Sequence, residues 1–153
     1  MRVRKAELGD MKRMGEIMAR SFRAAFADFV SPETMEACAR ENSCAELLEG
    51  IFREGNMRFL IGDNSGMLVW RHDGDKAEIM ALHSLPESVG SGLGEALLTE
   101  AMEEIGGRPV YLWVFRDNLR ARRFYEKQGF RHDGTERVSE FDGAVELRYV
   151  KGY

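Results

Sequence analysis

Long apolar runs are what this chain most conspicuously lacks. No stretch of its 153 residues approaches the roughly 18 apolar residues of a membrane-spanning helix. The amino terminus, Met1-Arg2-Val3-Arg4-Lys5-Ala6-Glu7, has no apolar stretch of the kind found in secretory signals. The expectation is a water-soluble, cytoplasmic protein with no membrane partner. Cysteine is scarce: Cys38 and Cys44 are the only two, without CxxC or metal-ligand spacing. A disulfide scaffold and a structural metal are therefore not expected, and both residues read as reduced packing groups. Basic residues are not in excess either. A net charge of −4 argues against broad affinity for nucleic acid and mildly favours cationic small molecules or peptides. Repeats and linkers are absent, so residues 1–153 are expected to form a single domain, a length at which one core suffices.

Hydrophobic residues make up 44% and charged residues 31%, proportions that exclude a disordered chain. Arg2 to Ala6 reads as a short strand. Met11, Met14, Met18, Phe22, Ala25 and Phe29 then recur at steps of three and four, one stripe of a helix, with the methionines expected to fill the core. Ser31-Pro32 has the form of an N-cap followed by a first-turn proline, and Ser43-Cys44-Ala45-Glu46 has capping-box spacing, so two short helices are expected before Gly55. The period then changes. Arg58–Ile61, Met67–Arg71 and Lys76–Leu85 are strand-like, separated by turn clusters, and suggest an antiparallel meander.

After Pro86 the glycine-rich run Gly90-Ser91-Gly92-Leu93-Gly94 leads into a helix whose Leu93, Leu97, Ala101 and Ile105 share a face. Val110–Phe115 follows as a buried strand, and Asp117-Asn118 starts a basic helix that should end at Gly129. Glu136–Phe141 and Ala144–Val150 are expected to form a hairpin around Asp142-Gly143. The expected class is α/β: a mixed, mostly antiparallel twisted sheet of six or seven strands flanked by helices.

A glycine-rich turn between strand and helix aims backbone N–H groups into a concavity at the positive end of the helix dipole, where phosphate oxygens fit. It is also a common tight turn, and both readings stand on this run alone. A dinucleotide fingerprint would need glycine where Glu95 stands, and a P-loop would need Gly-Lys-Ser/Thr, which is absent.

Val89-Gly90-Ser91-Gly92-Leu93-Gly94 resembles the pyrophosphate loop Gln/Arg-x-x-Gly-x-Gly/Ala of the GCN5-related N-acetyltransferase family. The segment from Asn118 to Phe130 is similar to that family's Asn-x-x-Ala-x-x-Phe/Leu-Tyr-x-x-x-Gly-Phe signature and is the more specific match. The two occur in family order, and the flanking elements extend the resemblance over nearly the whole chain. Val89 departs from it, replacing a side chain that would help hold the cofactor. The resemblance implies acetyl-CoA as co-substrate, with no metal. It implies that backbone around Leu82, His83 and Ser84 bonds the pantetheine arm, that Gly90, Ser91, Gly92, Leu93, Gly94 and Glu95 wrap the pyrophosphate, and that Asn118 contacts the cofactor. Tyr125 would lie near the CoA sulfur, where its phenol can protonate the departing thiolate. Glu78, fourteen residues before Gly92, would be the base that takes the amine's proton.

Simple alternation along this strand puts Glu78, Met80, Leu82 and Ser84 on one face and Ile79, Ala81, His83 and Leu85 on the other, so His83 is not expected to substitute for Glu78. His83 reads either as a second base or as a satisfied structural histidine. Arg120, Arg122, Arg123 and Lys127 read as a mostly solvated face with an Arg122–Glu126 pair, Arg122 or Arg123 being the candidates for phosphate contact.

The function these residues imply is direct acetyl transfer from acetyl-CoA to a primary amine, without a covalent enzyme intermediate. A non-catalytic acyl-CoA-binding or sensing module and a protein-interaction domain are the alternatives, and a homodimer is left open. The segments from Phe22 to Gly55 and from Arg131 to Asp142, expected to shape the acceptor pocket, carry no motif. Polyamine, antibiotic, amino acid and protein amino terminus all stay open as acceptors.

Overall fold

The computed structural model describes residues 2–27, 31–33, 41–139 and 143–153, with 41–43 described by backbone alone. Seven strands, β1 (Val3–Lys5), β2 (Met57–Gly62), β3 (Gly66–Asp73), β4 (Lys76–Ser84), β5 (Val110–Phe115), β6 (Arg131–Val138) and β7 (Val145–Lys151), form one sheet in the order β1-β2-β3-β4-β5-β7-β6. All pairings are antiparallel except β4 with β5. Among the described residues four α-helices flank it: α1 (Met11–Phe26), α2 (Glu41–Glu54), α3 (Leu93–Ile105) and α4 (Leu119–Lys127). This is the expected mixed sheet.

Each face of the sheet has its own core. Leu68, Trp70, Ala77, Ile79, Leu112 and Tyr149 pack with Leu93, Leu97, Ala101 and Ile105 of α3, and Ala121, Phe124 and Tyr125 of α4 border this cluster. The α3 stripe expected from the sequence is buried, each residue at 3% exposure or less. On the opposite face, Phe59, Ile61, Met67 and Val69 pack against Met11, Met14 and Ile17 of α1 and Leu48 of α2. Gly15 allows the close approach of these two helices, because a Cβ there would lie 2.7 Å from the backbone nitrogen of Ala45.

Several expectations change at this level. The α1 stripe holds for Met11 and Met14, both fully buried. Beyond them Ala25 is exposed and Phe26 turns inward. Phe29 lies outside the described residues, as do Cys38 and Asp142. Cys44 is buried. The helix expected to start after Ser43 begins at Glu41, and of the helix expected after Ser31 the structure describes only Pro32 and Glu33, both helical. Strand β6 begins at Arg131, five residues before the expected Glu136. Its pairing with β7 shifts register between His132 and Glu136, and Gly134 has φ +92°. This bulge interrupts the alternation that marks a strand in sequence.

A second bulge changes β4. Val69 pairs with Ala81 while Trp70 pairs with Ile79, leaving Met80 without a partner. Alternation is reset there. Leu82 joins the α3/α4 core and Ala81 the α1/α2 core, so Glu78, Ala81 and His83 share the α1/α2 face. The separation of Glu78 from His83 expected from alternation is overturned.

Candidate active site

The parallel strands β4 and β5 are joined only at Ala77–Val110, Glu78–Tyr111 and Ile79–Leu112. Beyond this, Ala81–Ser84 keeps β3 on one edge and Trp113–Phe115 keeps β7 on the other, but their facing edges have no strand partner. Backbone polar groups left unpaired in a folded interior require another partner. A cavity of about 520 Å³ opens at this parting. Met18, Phe22 and Phe26 of α1 and Leu47 of α2 line it from one face of the sheet, and Ala121 and Tyr125 of α4 from the other. It therefore adjoins both faces.

Tyr125 is held by edge-on contacts with Phe124 and Phe130, at 5.2 and 5.8 Å between centroids. Its hydroxyl makes no hydrogen bond to a described residue, and burial pushes its pKa up, so the phenol stays protonated through the neutral range. Asn118 also lines the cavity. It is the N-cap of α4, its Oδ1 accepting from the Ala121 amide at 3.2 Å, which leaves its side-chain nitrogen for other work. The N-cap function was hidden inside the signature and accounts for its asparagine locally.

At the start of α3, Gly92 is the N-cap in the left-handed region, φ +90°, with no side-chain cap. The first amide bonded back into this turn is that of Ala96, to the Gly92 carbonyl at 3.0 Å. Among the described residues the amides of Gly90, Gly92, Leu93, Gly94 and Glu95 have no acceptor, the usual deficit of a helix start. Leu93 contributes only backbone there, since its side chain is core. Ser91 is exposed, and its hydroxyl donates to the Ser88 carbonyl. Val89 is 40% exposed and offers no polar group.

Leu82 and His83 line the cavity on β4, with Ser84 closing the strand. His83 Nδ1 lies 3.1 Å from Ser21 Oγ of α1, and burial pushes its imidazole down to about 4. Glu78, 7% exposed, sits elsewhere. Its Oε1 accepts from Arg71 Nε and Nη2 at 2.8 and 2.7 Å and from the Tyr111 hydroxyl at 3.3 Å. The same hydroxyl donates to Asp73 at 2.6 Å. Glu78 is not among the described residues lining the cavity, although it stands on the face where α1 and α2 meet it.

The structure thus brings Leu82, His83, Asn118 and Tyr125 together around one cavity. It places the glycine loop at the mouth of α3 and Glu78 in an ion-paired cluster to the side. Arg122 does not pair directly with Glu126. Its Nε donates to the Tyr149 hydroxyl at 3.0 Å, which donates to Glu126 at 2.7 Å, so Arg122 braces α4 against β7. Sequence reading missed the inward-facing Phe26, Trp113, Phe115 and Glu146. The alternation of Val110–Phe115 carried the signal for two of them, but a mostly apolar run conceals which face is cavity.

A mixed seven-stranded sheet whose parallel pair parts over a cavity beside an uncapped, glycine-started helix defines the acyl-CoA N-acyltransferase fold. The profile of the acetyltransferase (GNAT) family matches residues 11–130, and the chain belongs to this family as an acetyl-CoA-dependent N-acetyltransferase. Spermidine N(1)-acetyltransferase of Thermoplasma acidophilum is 30% identical over 145 residues, covering 88% of this chain and 90% of its own. An uncharacterized N-acetyltransferase of Mycobacterium tuberculosis is 28% identical over 134 residues, covering 82% and 86%. The crystal structure of PaiA N-acetyltransferase from Thermoplasma acidophilum in complex with coenzyme A superposes with a TM-score of 0.82 at 27% identity, over 99% of this chain and 98% of that one. No described helix is long and apolar enough to cross a membrane.

Proposed function

We propose that residues 1–153 act as one N-acetyltransferase domain that moves the acetyl group of acetyl-CoA directly onto the primary amine of a small molecule or peptide. The observation that carries this reading is the cavity at the β4/β5 parting, which combines an unpaired strand edge with a protonated phenol that has no hydrogen-bond partner among the described residues. Acetyl-CoA supplies an activated thioester. The β4 edge at Leu82, His83 and Ser84 that faces away from β3 suits the amides of a pantetheine arm, and the free amides of Gly90, Gly92, Leu93, Gly94 and Glu95 suit a pyrophosphate. The side-chain nitrogen of Asn118 supplies a further donor to the cofactor.

Tyr125, kept protonated by burial, donates its proton to the departing sulfur. Glu78 is the proposed acceptor of the amine's proton; because its carboxylate faces Arg71 and Tyr111, the proton reaches it through a relay. His83, neutral and poorly basic, shapes the wall. Holding the amine against the thioester supplies much of the rate. Cys44 also stands in the wall, so the direct route expects Cys44→Ala to retain turnover. The exposed Val89 and the offset Glu78 favour one other reading, a non-catalytic acyl-CoA sensor. The two separate in an amine screen with purified protein and acetyl-CoA, reading free thiol and product mass. Amine-dependent thiol release supports transfer; tight CoA binding without release across polyamines, arylalkylamines, aminoglycosides, amino acids and peptides points to the sensor.

A further inference from the structure

The two halves of the cavity differ in chemistry. Asn118 and Tyr125 wall the α4 side, whereas Met18, Phe22, Phe26, Leu47, Trp113 and Phe115 wall the other. Phe22 meets Phe26 edge to face at 4.2 Å, and Phe26 meets Phe115 at 5.2 Å. The guanidinium of Arg137 lies over the Trp113 ring at 4.0 Å. Leu47 is 57% exposed and Met80 43%, and both border this space. The exposed Leu47 and Met80 beside an aromatic-lined concavity mark a surface suited to an apolar ligand.

Charge is scarce among the described residues that line this half. Among the described lining residues the one carboxylate is Glu146, its side chain 14% exposed and ion-paired with Arg137 at 2.9 Å. A polyamine entering here would take several ammonium groups out of water with no uncommitted counter-charge among these residues, an unfavourable exchange. A single amine on an aromatic body gains from the same walls through edge-to-face contacts. Apolar surroundings also favour the neutral form of the amine, which is the nucleophile.

We propose that the acceptor is an arylalkylamine, one primary amino group on an aromatic body, bound among Phe22, Phe26, Trp113 and Phe115. This rests on the acetyl transfer proposed above and sets the chain apart from its relative named for spermidine.

The test is steady-state kinetics with acetyl-CoA and 2-phenylethylamine, n-butylamine or spermidine. The expected kcat/KM for 2-phenylethylamine exceeds that for either competitor by about tenfold or more, the scale on which apolar pockets discriminate. Phe26→Ala should lower it by about tenfold, with CoA affinity by calorimetry unchanged as the control for folding. A preference for spermidine or another polar acceptor overturns the arylalkylamine assignment and leaves acetyl transfer standing, as does a Phe26→Ala loss equal for spermidine and 2-phenylethylamine. Thiol release with no amine of any class, while CoA still binds, overturns both.

Discussion

Tyr125 and His83 face the same cavity and are affected by burial in opposite directions. In Tyr125 burial strengthens the neutral phenol, the form a proton donor needs. Tyr125→Phe removes one hydroxyl and keeps the ring that touches Phe124 and Phe130. Turnover should fall by roughly 10- to 1,000-fold, in kcat more than in KM, with CoA affinity little changed; full kcat in the variant removes the proton-donor role. His83 is a stability device of defined sign. Burial pushes its imidazole from 6.5 to about 4, so at pH 5 the unfolded chain binds a proton there that the folded chain refuses. The folded state keeps its full stability above 6.5 and loses part of it as pH falls toward 4. His83→Gln should flatten the melting temperature between pH 7 and 4.5 relative to the parent, and parallel curves would contradict a buried neutral imidazole.

At the scale of elements, the start of α3 is proposed to serve CoA and the crossing of α1 with α2 the amine, and the two roles can be tested separately. Gly92 caps α3 at φ +90°, a conformation that a β-branched residue adopts only under strain. Gly92→Val should abolish CoA binding in calorimetry while the circular dichroism of the fold persists, because it disturbs the turn that presents the free amides. Undiminished affinity in a folded variant would remove the phosphate role of this loop. Gly15→Ala acts at the other end. Its Cβ would meet Ala45 backbone at 2.7 and 2.9 Å, so α1 and α2 must separate. Overpacking of this kind costs about 1–3 kcal/mol and should appear in chemical denaturation. Because Met18, Phe22 and Leu47 ride on these helices, KM for the amine should rise while CoA affinity holds. An unchanged midpoint and KM would show that the helices yield freely.

Across the whole molecule, the sheet is continuous except where β4 and β5 part, and a ligand in that gap would supply the partner their facing edges lack. Binding to the folded state alone stabilises it by about 2.7 kcal/mol at a hundredfold excess over Kd. CoA should therefore raise the melting temperature in a concentration-dependent manner, and Gly92→Val should abolish the shift. A protein-interaction domain that merely retains this fold would show no shift in either protein.

Sequence alone determined the order and type of most elements, the glycine-started α3, the asparagine that opens α4, and the tyrosine near its end. Each of these is written locally: a helix stripe such as Leu93, Leu97, Ala101 and Ile105 declares itself within one element, and a cap within one turn. Tertiary structure decided the rest. The bulge at Met80 exists only in the register of β4 against β3, and it moves His83 onto the face of Glu78. Arg71, Glu78 and Tyr111 meet because three strands lie side by side. Met18 and Phe22 share a stripe with core methionines, yet they wall a cavity because β4 and β5 separate beneath them. Hydrophobic period reports which side of an element avoids water; whether that side meets core or ligand depends on what distant strands leave open.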